Sequence, residues 1–333
     1  EAYEEISNLN IDGIGFEEEP RRYYPEGTLT SHVLGFVAKN EEGKEQGYFG
    51  VEGSLDGDLR GKPGRIIEEK DADGNPILIG DYKRVDPIEG ADVVLTIDRA
   101  VQYIVEKHLK EGVEKYEALS GSVIVMDPST GDIIAMANYP TYHPGRFNED
   151  IYNNFEGEDE NGVKLETKRN NGAVTEAYEP GSVMKPVTVA TGIDLGLISP
   201  ETTFEDDGPV YYSGHKIDNW DYKHHGTQTI IQLLQKSNNI GAAWVGHQIG
   251  SKNLHNYLKD FGFGEPTGIG LEGENLGIIR PYKTWTDIDL ANAAFGQGIS
   301  ATPLQVLNAF NTIANGGEVI RPRVIKSLNK EDK

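Results

Sequence analysis

The chain has 333 residues, more than one hydrophobic core usually holds, so two domains are expected. Acidic residues outnumber basic ones by 54 to 31, and the formal charge of −23 makes a surface that repels nucleic acid and anionic lipid. The absence of cysteine excludes disulfides, thiol catalysis and cysteine zinc sites, and no run is apolar for long enough to span a bilayer.

The opening stretch EAYEEISNLN is acidic and polar, unlike a signal peptide, so any export signal or anchor is expected upstream of residue 1. Residues 1 to about 90 are rich in glycine, proline and charge, with short apolar runs such as HVLGFV and RII. Asp73-Gly74, within DADGNPILIG, is a hairpin-type turn between two short strand candidates. These features describe a small, irregular, mostly β module.

At ADVVLTIDRAVQYIVEKHL the texture changes. Val93, Val94, Leu95 and Ile97 read as a strand, and Asp98 is placed to cap the helix that follows. Val101, Ile104, Val105 and Leu109 form one apolar face, with Glu106, Lys107, Lys110 and Glu111 outside it. In GSVIVMDPSTGDIIAMANYP, two β-rich runs flank a turn from Asp127 to Gly131, which makes an antiparallel hairpin. The polar segment from Asn148 to Glu176 reads as a surface excursion. Helical signals dominate afterwards. TPLQVLNAFNTIANGG has Thr302 as N-cap, Pro303 in the first turn and Gln305 completing a capping box. Leu304, Leu307, Phe310 and Ile313 or Ala314 are expected to face inward, with Gly316 or Gly317 ending the helix. A hairpin followed by a helical block indicates an α+β class.

The chemistry concentrates in EPGSVMKP. Residues three apart on a helix share a face, so Ser182 Oγ and the Lys185 amine can meet. Pro180 and Gly181 mark the helix start and leave Ser182 in the first turn, where unpaired N–H groups and the helix dipole favour an oxyanion. A lysine in a poorly solvated pocket loses affinity for its proton and can act as a base. Serine and lysine so spaced are one form of the nucleophile–base pair, although a capped helix with a snorkelling lysine has the same spacing.

EPGSVMKP resembles the SxxK box of the penicillin-binding protein transpeptidases, and LLQKSNNIGAAW resembles their SxN box, with Ser237, Asn238 and Asn239 in place. VIVMDPSTGDIIAMANYP is similar to the hairpin that opens their catalytic domain, and FGQGISATPLQ to the stretch after their helical block. Upstream, RRYYPEGTLTSHVLGFV, GYFGVEGSLDGDLRGKPG and DADGNPI resemble the N-terminal pedestal of the class B, monofunctional members. The resemblance implies an α+β, penicilloyl-serine-transferase-like domain over residues 91–333, preceded by a pedestal or dimerisation-type domain over residues 1–90. It implies that Ser182 is the acylated nucleophile and Lys185 its general base. Ser237 would relay a proton, and Asn239 would hold the peptide backbone of the substrate. No cofactor and no metal are implied.

The activity so implied is D,D-transpeptidation, which cross-links the stem peptides of peptidoglycan. A terminal D-Ala-D-Ala is the donor, an amine is the acceptor, and β-lactams react covalently with the serine. The resemblance places the protein on the extracytoplasmic face of a bacterial membrane, anchored by a helix upstream of this chain. A glycosyltransferase and other division or elongation proteins would be its partners, and HVLGFV and GVEGSLDGDLRG lean toward the division-type members.

One motif departs from the pattern. The sole Lys-Thr pair, Lys283-Thr284-Trp285, lacks the glycine of the family's KTG box and precedes the GQG stretch instead of following it. The resemblance puts KTG, three further strands and half of the oxyanion hole after Lys333. The 333 residues alone are therefore expected to be an incomplete enzyme, slow to react with penicillin and poorly soluble.

Other clusters carry less. HKIDNWDYKHHG gathers His215, Asp218, Asp221, His224 and His225, but the spacing fits no standard ligand set and the family has a loop there. GIGLEGENLG lacks the lysine and the strand-to-helix context of a phosphate loop and reads as a turn-rich connection. DGPVYYSGHK is expected to be strand or core and not a sugar platform. A non-catalytic wall-assembly scaffold is the second function class. A β-lactamase or β-lactam sensor would share the serine and lysine but not the pedestal, and covalent acylation separates all three.

Overall fold

The computed structural model describes residues 2–9, 11, 13, 14, 16, 21–68, 82–147 and 170–330. In the N-terminal part the elements are short: α1 (Ala2–Asn8), α2 (Ser31–Leu34), β1 (Phe36–Lys39), β2 (Glu45–Tyr48), α3 (Gly50–Ser54), α4 (Asp56–Leu59), β3 (Arg65–Glu68) and β4 (Tyr82–Val85). β1 and β2 pair antiparallel from Phe36↔Tyr48 to Lys39↔Glu45, and β3 and β4 from Arg65↔Val85 to Glu68↔Tyr82. The mostly β character expected of this part is thus shared with short helices; Gly35, Gly61 and Pro87 follow within two residues of α2, α4 and β4 and help to keep these runs short. The Asp73-Gly74 turn lies outside the described residues.

β5 (Asp92–Leu95) leads into α5 (Arg99–Lys115), and Asp98 caps the helix by accepting Ala100 N at 2.9 Å and Val101 N at 3.0 Å. The partner of β5 comes from the far end of the chain, with β12 (Ile325–Asn329) running antiparallel to it. The hairpin is formed by β6 (Gly121–Met126) and β7 (Ile133–Tyr139). Its turn is held by Asp127, whose carboxylate accepts Ser129 N at 2.7 Å and whose carbonyl accepts Gly131 N at 2.9 Å. Among the described residues β6 pairs with β7 alone.

Two expectations about α5 change. Gln102 and Val113 are its buried residues, while Ile104 is exposed. Glu106, expected outside, accepts Thr30 N at 2.7 Å and Gln102 Nε2 at 2.8 Å. The helix is packed between the hairpin and the N-terminal module, so a polar residue facing the module serves better than an apolar one. Gln102 Nε2 donates to Met136 O and its Oε1 accepts Met136 N, which locks α5 to β7.

The remaining elements are α6 (Gly172–Thr175), a 3-10 turn (Gly181–Met184), α7 (Lys185–Asp194), β8 (Thr203–Asp206), β9 (Val210–Tyr212), β10 (His215–Ile217), β11 (Gly226–Thr229), α8 (Ile230–Lys236), α9 (Asn239–Ile249), α10 (Ser251–Asp260), α11 (Asp287–Ala294) and α12 (Pro303–Ala314). β9 and β10 form a hairpin in which Tyr212 stacks on His247 at 4.1 Å while Tyr211 is exposed. Lys283-Thr284 lies in a 3-10 turn and not in a strand. Of the polar segment 148–176, residues 148–169 lie outside the described residues, whereas Ala173 and Val174 are core and not surface.

The helical block packs around Met184, Val187, Leu233, Val245, Leu254 and Phe263. Each such fully buried side chain contributes about 1.5–3 kcal/mol relative to an exposed one. A second cluster joins Val33 and Val51 of the N-terminal part to Ile133, Met136, Val174 and Leu304. α12 opens on the expected box, with Gln305 N on Thr302 Oγ1 and Thr302 N on Gln305 Oε1. Its inward face differs from the expected one: Leu304, Gln305, Asn308, Ala309 and Thr312 are buried, while Phe310 and Ile313 are exposed. Gln305 Nε2 donates to Glu265 O and Leu276 O, and these bonds select the face that the apolar pattern alone misassigns.

Candidate active site

Ser182 stands at the tight start of a helix for a local reason. Gly181 takes φ +63, a left-handed conformation open to glycine, and Pro186 falls in the first turn of α7, where its missing N–H costs nothing. The approach to the serine is clamped from the GQG stretch: Gly181 N donates to Gly296 O at 2.9 Å and Gly298 N to Glu179 Oε1 at 2.8 Å. Tyr178 and Ala301 exchange backbone bonds at 3.0 Å. Ser182 is exposed, whereas Lys185, three residues on, is 2% exposed.

Lys185 Nζ lies 3.1 Å from Ser182 Oγ. It also reaches Ser237 O at 2.7 Å, Ser237 Oγ at 3.0 Å and Asn239 Oδ1 at 2.7 Å. All four residues singled out in the sequence, Ser182, Lys185, Ser237 and Asn239, therefore converge on one nitrogen. Ser237 does so from a left-handed conformation, φ 53 and ψ 47, at the end of α8. A non-glycine residue there costs about 1–2 kcal/mol, and here it turns both the carbonyl and the hydroxyl toward Lys185. Burial pushes the Lys185 amine down to about 8.

The two short bonds define what the amine can do. A neutral lysine has two N–H hydrogens and one lone pair. Ser237 O and Asn239 Oδ1, acceptors at 2.7 Å, take the hydrogens and leave the lone pair for a hydroxyl hydrogen of Ser182 or Ser237. Asn239 Nδ2 donates one hydrogen to Asp218 O at 3.0 Å, so the other can serve a substrate carbonyl.

Sequence reasoning passed over Asn219 and Asp206. Asn219 Oδ1 accepts Asn239 N at 3.0 Å, and Asn238 Nδ2 donates to Asp206 Oδ2 at 2.7 Å. The density of polar residues in HKIDNWDYKHHG was the available signal, but read as a metal set it gave no match. The group instead packs behind the SNN turn. Of its members, Asp218 supplies a carbonyl and His224 lies between Asp206 and Asp218, 3.2 and 3.5 Å from them. The Lys216 ammonium, 2.8 Å away, holds the Asp218 carboxyl below the usual carboxylate range.

Residues 121–333 match the penicillin binding protein transpeptidase domain, and residues 1–95 match the penicillin-binding protein dimerisation domain. The chain is 34% identical to stage V sporulation protein D of Bacillus subtilis over 329 residues, 98% of this chain and 48% of that protein. It is also 34% identical to peptidoglycan D,D-transpeptidase FtsI of Escherichia coli over 324 residues, 97% of this chain and 51% of the relative. The chain thus spans about half the length of these curated relatives. Among solved structures, a peptidoglycan synthetase from Bifidobacterium adolescentis superposes with a TM-score of 0.80 at 30% identity, covering 98% of this chain and 56% of that one. Penicillin binding protein 3 from Mycobacterium tuberculosis, complexed with ampicillin, superposes with a TM-score of 0.76 at 29% identity, covering 94% and 63%. With an α+β fold shared with these structures and a transpeptidase-domain match over most of its length, the chain belongs to the penicillin-binding protein transpeptidase family.

Proposed function

We propose that the protein is a serine acyltransferase that cross-links peptidoglycan stem peptides and that β-lactams acylate at the same serine. The observation that carries this reading is the buried Lys185 amine 3.1 Å from an exposed Ser182 Oγ. A non-catalytic scaffold has no use for a lysine buried against a serine hydroxyl, a placement that costs free energy.

Lys185 takes the Ser182 proton as Oγ attacks the carbonyl of the terminal D-Ala-D-Ala peptide bond. The negative charge develops beside the Ser182 N–H at the helix start. Ser237 Oγ, 3.0 Å from Lys185 Nζ, carries the proton onward to the leaving D-alanine amine. Asn239 holds the substrate backbone with its second amide hydrogen. An acceptor amine then attacks the acyl-enzyme, and Ser182 recovers its proton. The ampicillin complex of the Mycobacterium tuberculosis relative supports β-lactams as ligands of this fold.

Residues 1–90 serve as the pedestal and residues 91–333 form the transpeptidase domain, the two meeting at the cluster that contains Val33, Val51 and Met136. The site of action is the outer face of a bacterial cell membrane, where peptidoglycan lies, with an anchor preceding residue 1. A glycosyltransferase and division or elongation proteins are its partners. Among the described residues no helix is long and apolar enough to cross a membrane.

Labelling of the full-length protein with a fluorescent penicillin, followed by mass spectrometry, tests the reading. One adduct on Ser182, absent from Ser182→Ala, is expected. An intact protein that takes no adduct, or a Ser182→Ala variant that labels like wild type, overturns it.

A further inference from the structure

Asp206 ends β8, opposite Gly226 of β11, and its carboxylate is completely buried. A carboxylate in that position is costly unless donors surround it. Asn238 Nδ2 donates to Oδ2 at 2.7 Å, and Asn219 Nδ2 lies 3.1 and 3.2 Å from the two oxygens. His225 N donates to Oδ2 at 3.1 Å, and His224 Nδ1 is 3.2 Å from Oδ1.

Asn238 is oriented by this acceptor, and Asn219 by it together with Lys223 O, which Asn219 Nδ2 reaches at 2.8 Å. With their NH2 groups drawn to Asp206, their oxygens face the start of α9: Asn238 Oδ1 accepts Gly241 N at 2.7 Å and Asn219 Oδ1 accepts Asn239 N at 3.0 Å. These are the backbone donors that a helix start leaves open. The same helix start carries the Asn239 amide, and the adjoining turn carries Ser237, the two acceptors that set the direction of the Lys185 lone pair.

We propose that Asp206 is a positioning residue for the acylation site: its carboxylate fixes the Asn219 and Asn238 amides, and through them the SNN turn that aims Lys185 at Ser182. It touches neither Lys185 nor Ser182. The catalytic part of this inference rests on the acylation reading, while the anchoring of α9 stands on the contacts themselves. Replacing the carboxylate by an amide keeps its shape and turns one acceptor oxygen into a donor, so it faces at least one asparagine NH2 with another NH2.

The test uses the intact protein and a fluorescent penicillin. Asp206→Asn lowers the acylation rate at saturating penicillin about tenfold or more, with half-saturation changed less than about threefold. Amide hydrogen exchange at Asn239, Ile240 and Gly241 speeds up about tenfold, a readout that needs no acylation. The reciprocal variant, Asp206→Asn with Asn238→Asp, puts the charge on the other side of the same hydrogen bond and returns both readouts to within about threefold of wild type. Wild-type rates and exchange in Asp206→Asn overturn the proposal. So does a reciprocal variant that folds but stays slow, or one that fails to fold, because Asp206 then acts through packing and not through this bond. If the wild-type protein takes no penicillin while exchange responds as stated, the anchoring is supported and only the acylation reading falls.

Discussion

Gly296 lies with its α-carbon against the backbone of Gly181: a β-carbon built on Gly296 would stand 2.2 Å from the Gly181 carbonyl oxygen. Gly296 also has φ +82, a conformation that L side chains rarely adopt. Gly296→Ala therefore has to displace the turn that presents Ser182. The expected result is a strain of about 1–3 kcal/mol and a penicillin acylation rate reduced about tenfold or more. Stopped-flow acylation and thermal melting of the variant measure both, and unchanged kinetics would show that the turn is positioned by other contacts.

Removal of either proposed reacting group has a sharper outcome. Ser182→Ala gives no covalent penicillin adduct, and Lys185→Ala lowers the acylation rate by about three orders of magnitude or more, the scale of losing a nucleophile's base. Intact-protein mass spectrometry over a time course reads both. Rapid acylation of Lys185→Ala would assign the base elsewhere.

The depressed Lys185 value sets a pH dependence with a definite sign. Acylation rises about tenfold per pH unit below about 8 and levels off above it, as the neutral amine fills. Stability has a related slope. The folded lysine loses its proton near 8 and an ordinary one near 10.5, so between these values the unfolded chain binds more protons. The cost of burying the charge is full below about 8 and is relieved as pH rises through this window. Melting of wild type against Lys185→Ala from pH 7 to 10 should show wild type gaining relative to the variant, and parallel curves would mean that Lys185 titrates normally.

Asn239→Ala removes an acceptor from Lys185 and a donor from Asp218 O. It should raise the acylation barrier by about 1–3 kcal/mol while the backbone bond from Asn239 N to Asn219 is kept. Acylation kinetics beside a denaturant melt decide this. A variant that melts far below wild type would give Asn239 a structural role.

Glu106 ties α5 to the N-terminal module through Thr30 N, and burial pushes its carboxyl above the usual value. Glu106→Ala leaves that N–H without its acceptor and should cost about 1–3 kcal/mol, while Glu106→Gln keeps an oxygen there and costs less. The raised value means that the favourable contribution of protonated Glu106 is full below about 4.5, the ordinary carboxyl value, and is lost as pH rises through the folded one. Wild type should therefore lose stability relative to Glu106→Gln across the acid range, and a constant difference would refute the shift.

The local chemistry of the site was legible in the sequence. Spacing of three residues on a helix brings Ser182 and Lys185 together in any context, and the Asp98 and Thr302 caps follow from short-range bonds of the same kind. Hairpin β6–β7 was equally plain, because alternation and the Asp127 turn are local signals. What tertiary structure alone decided is direction and partnership. α12 buries Gln305, Asn308 and Thr312 and exposes Phe310, because the carbonyls of Glu265 and Leu276 select that face from forty and twenty-nine residues away. β5 meets β12 across most of the chain. Asp206 gave no sign of its importance, and Asn219 only the polar density around it, since an aspartate in a strand and an asparagine in a loop acquire a role only when folding removes water and leaves each buried polar atom to find a partner.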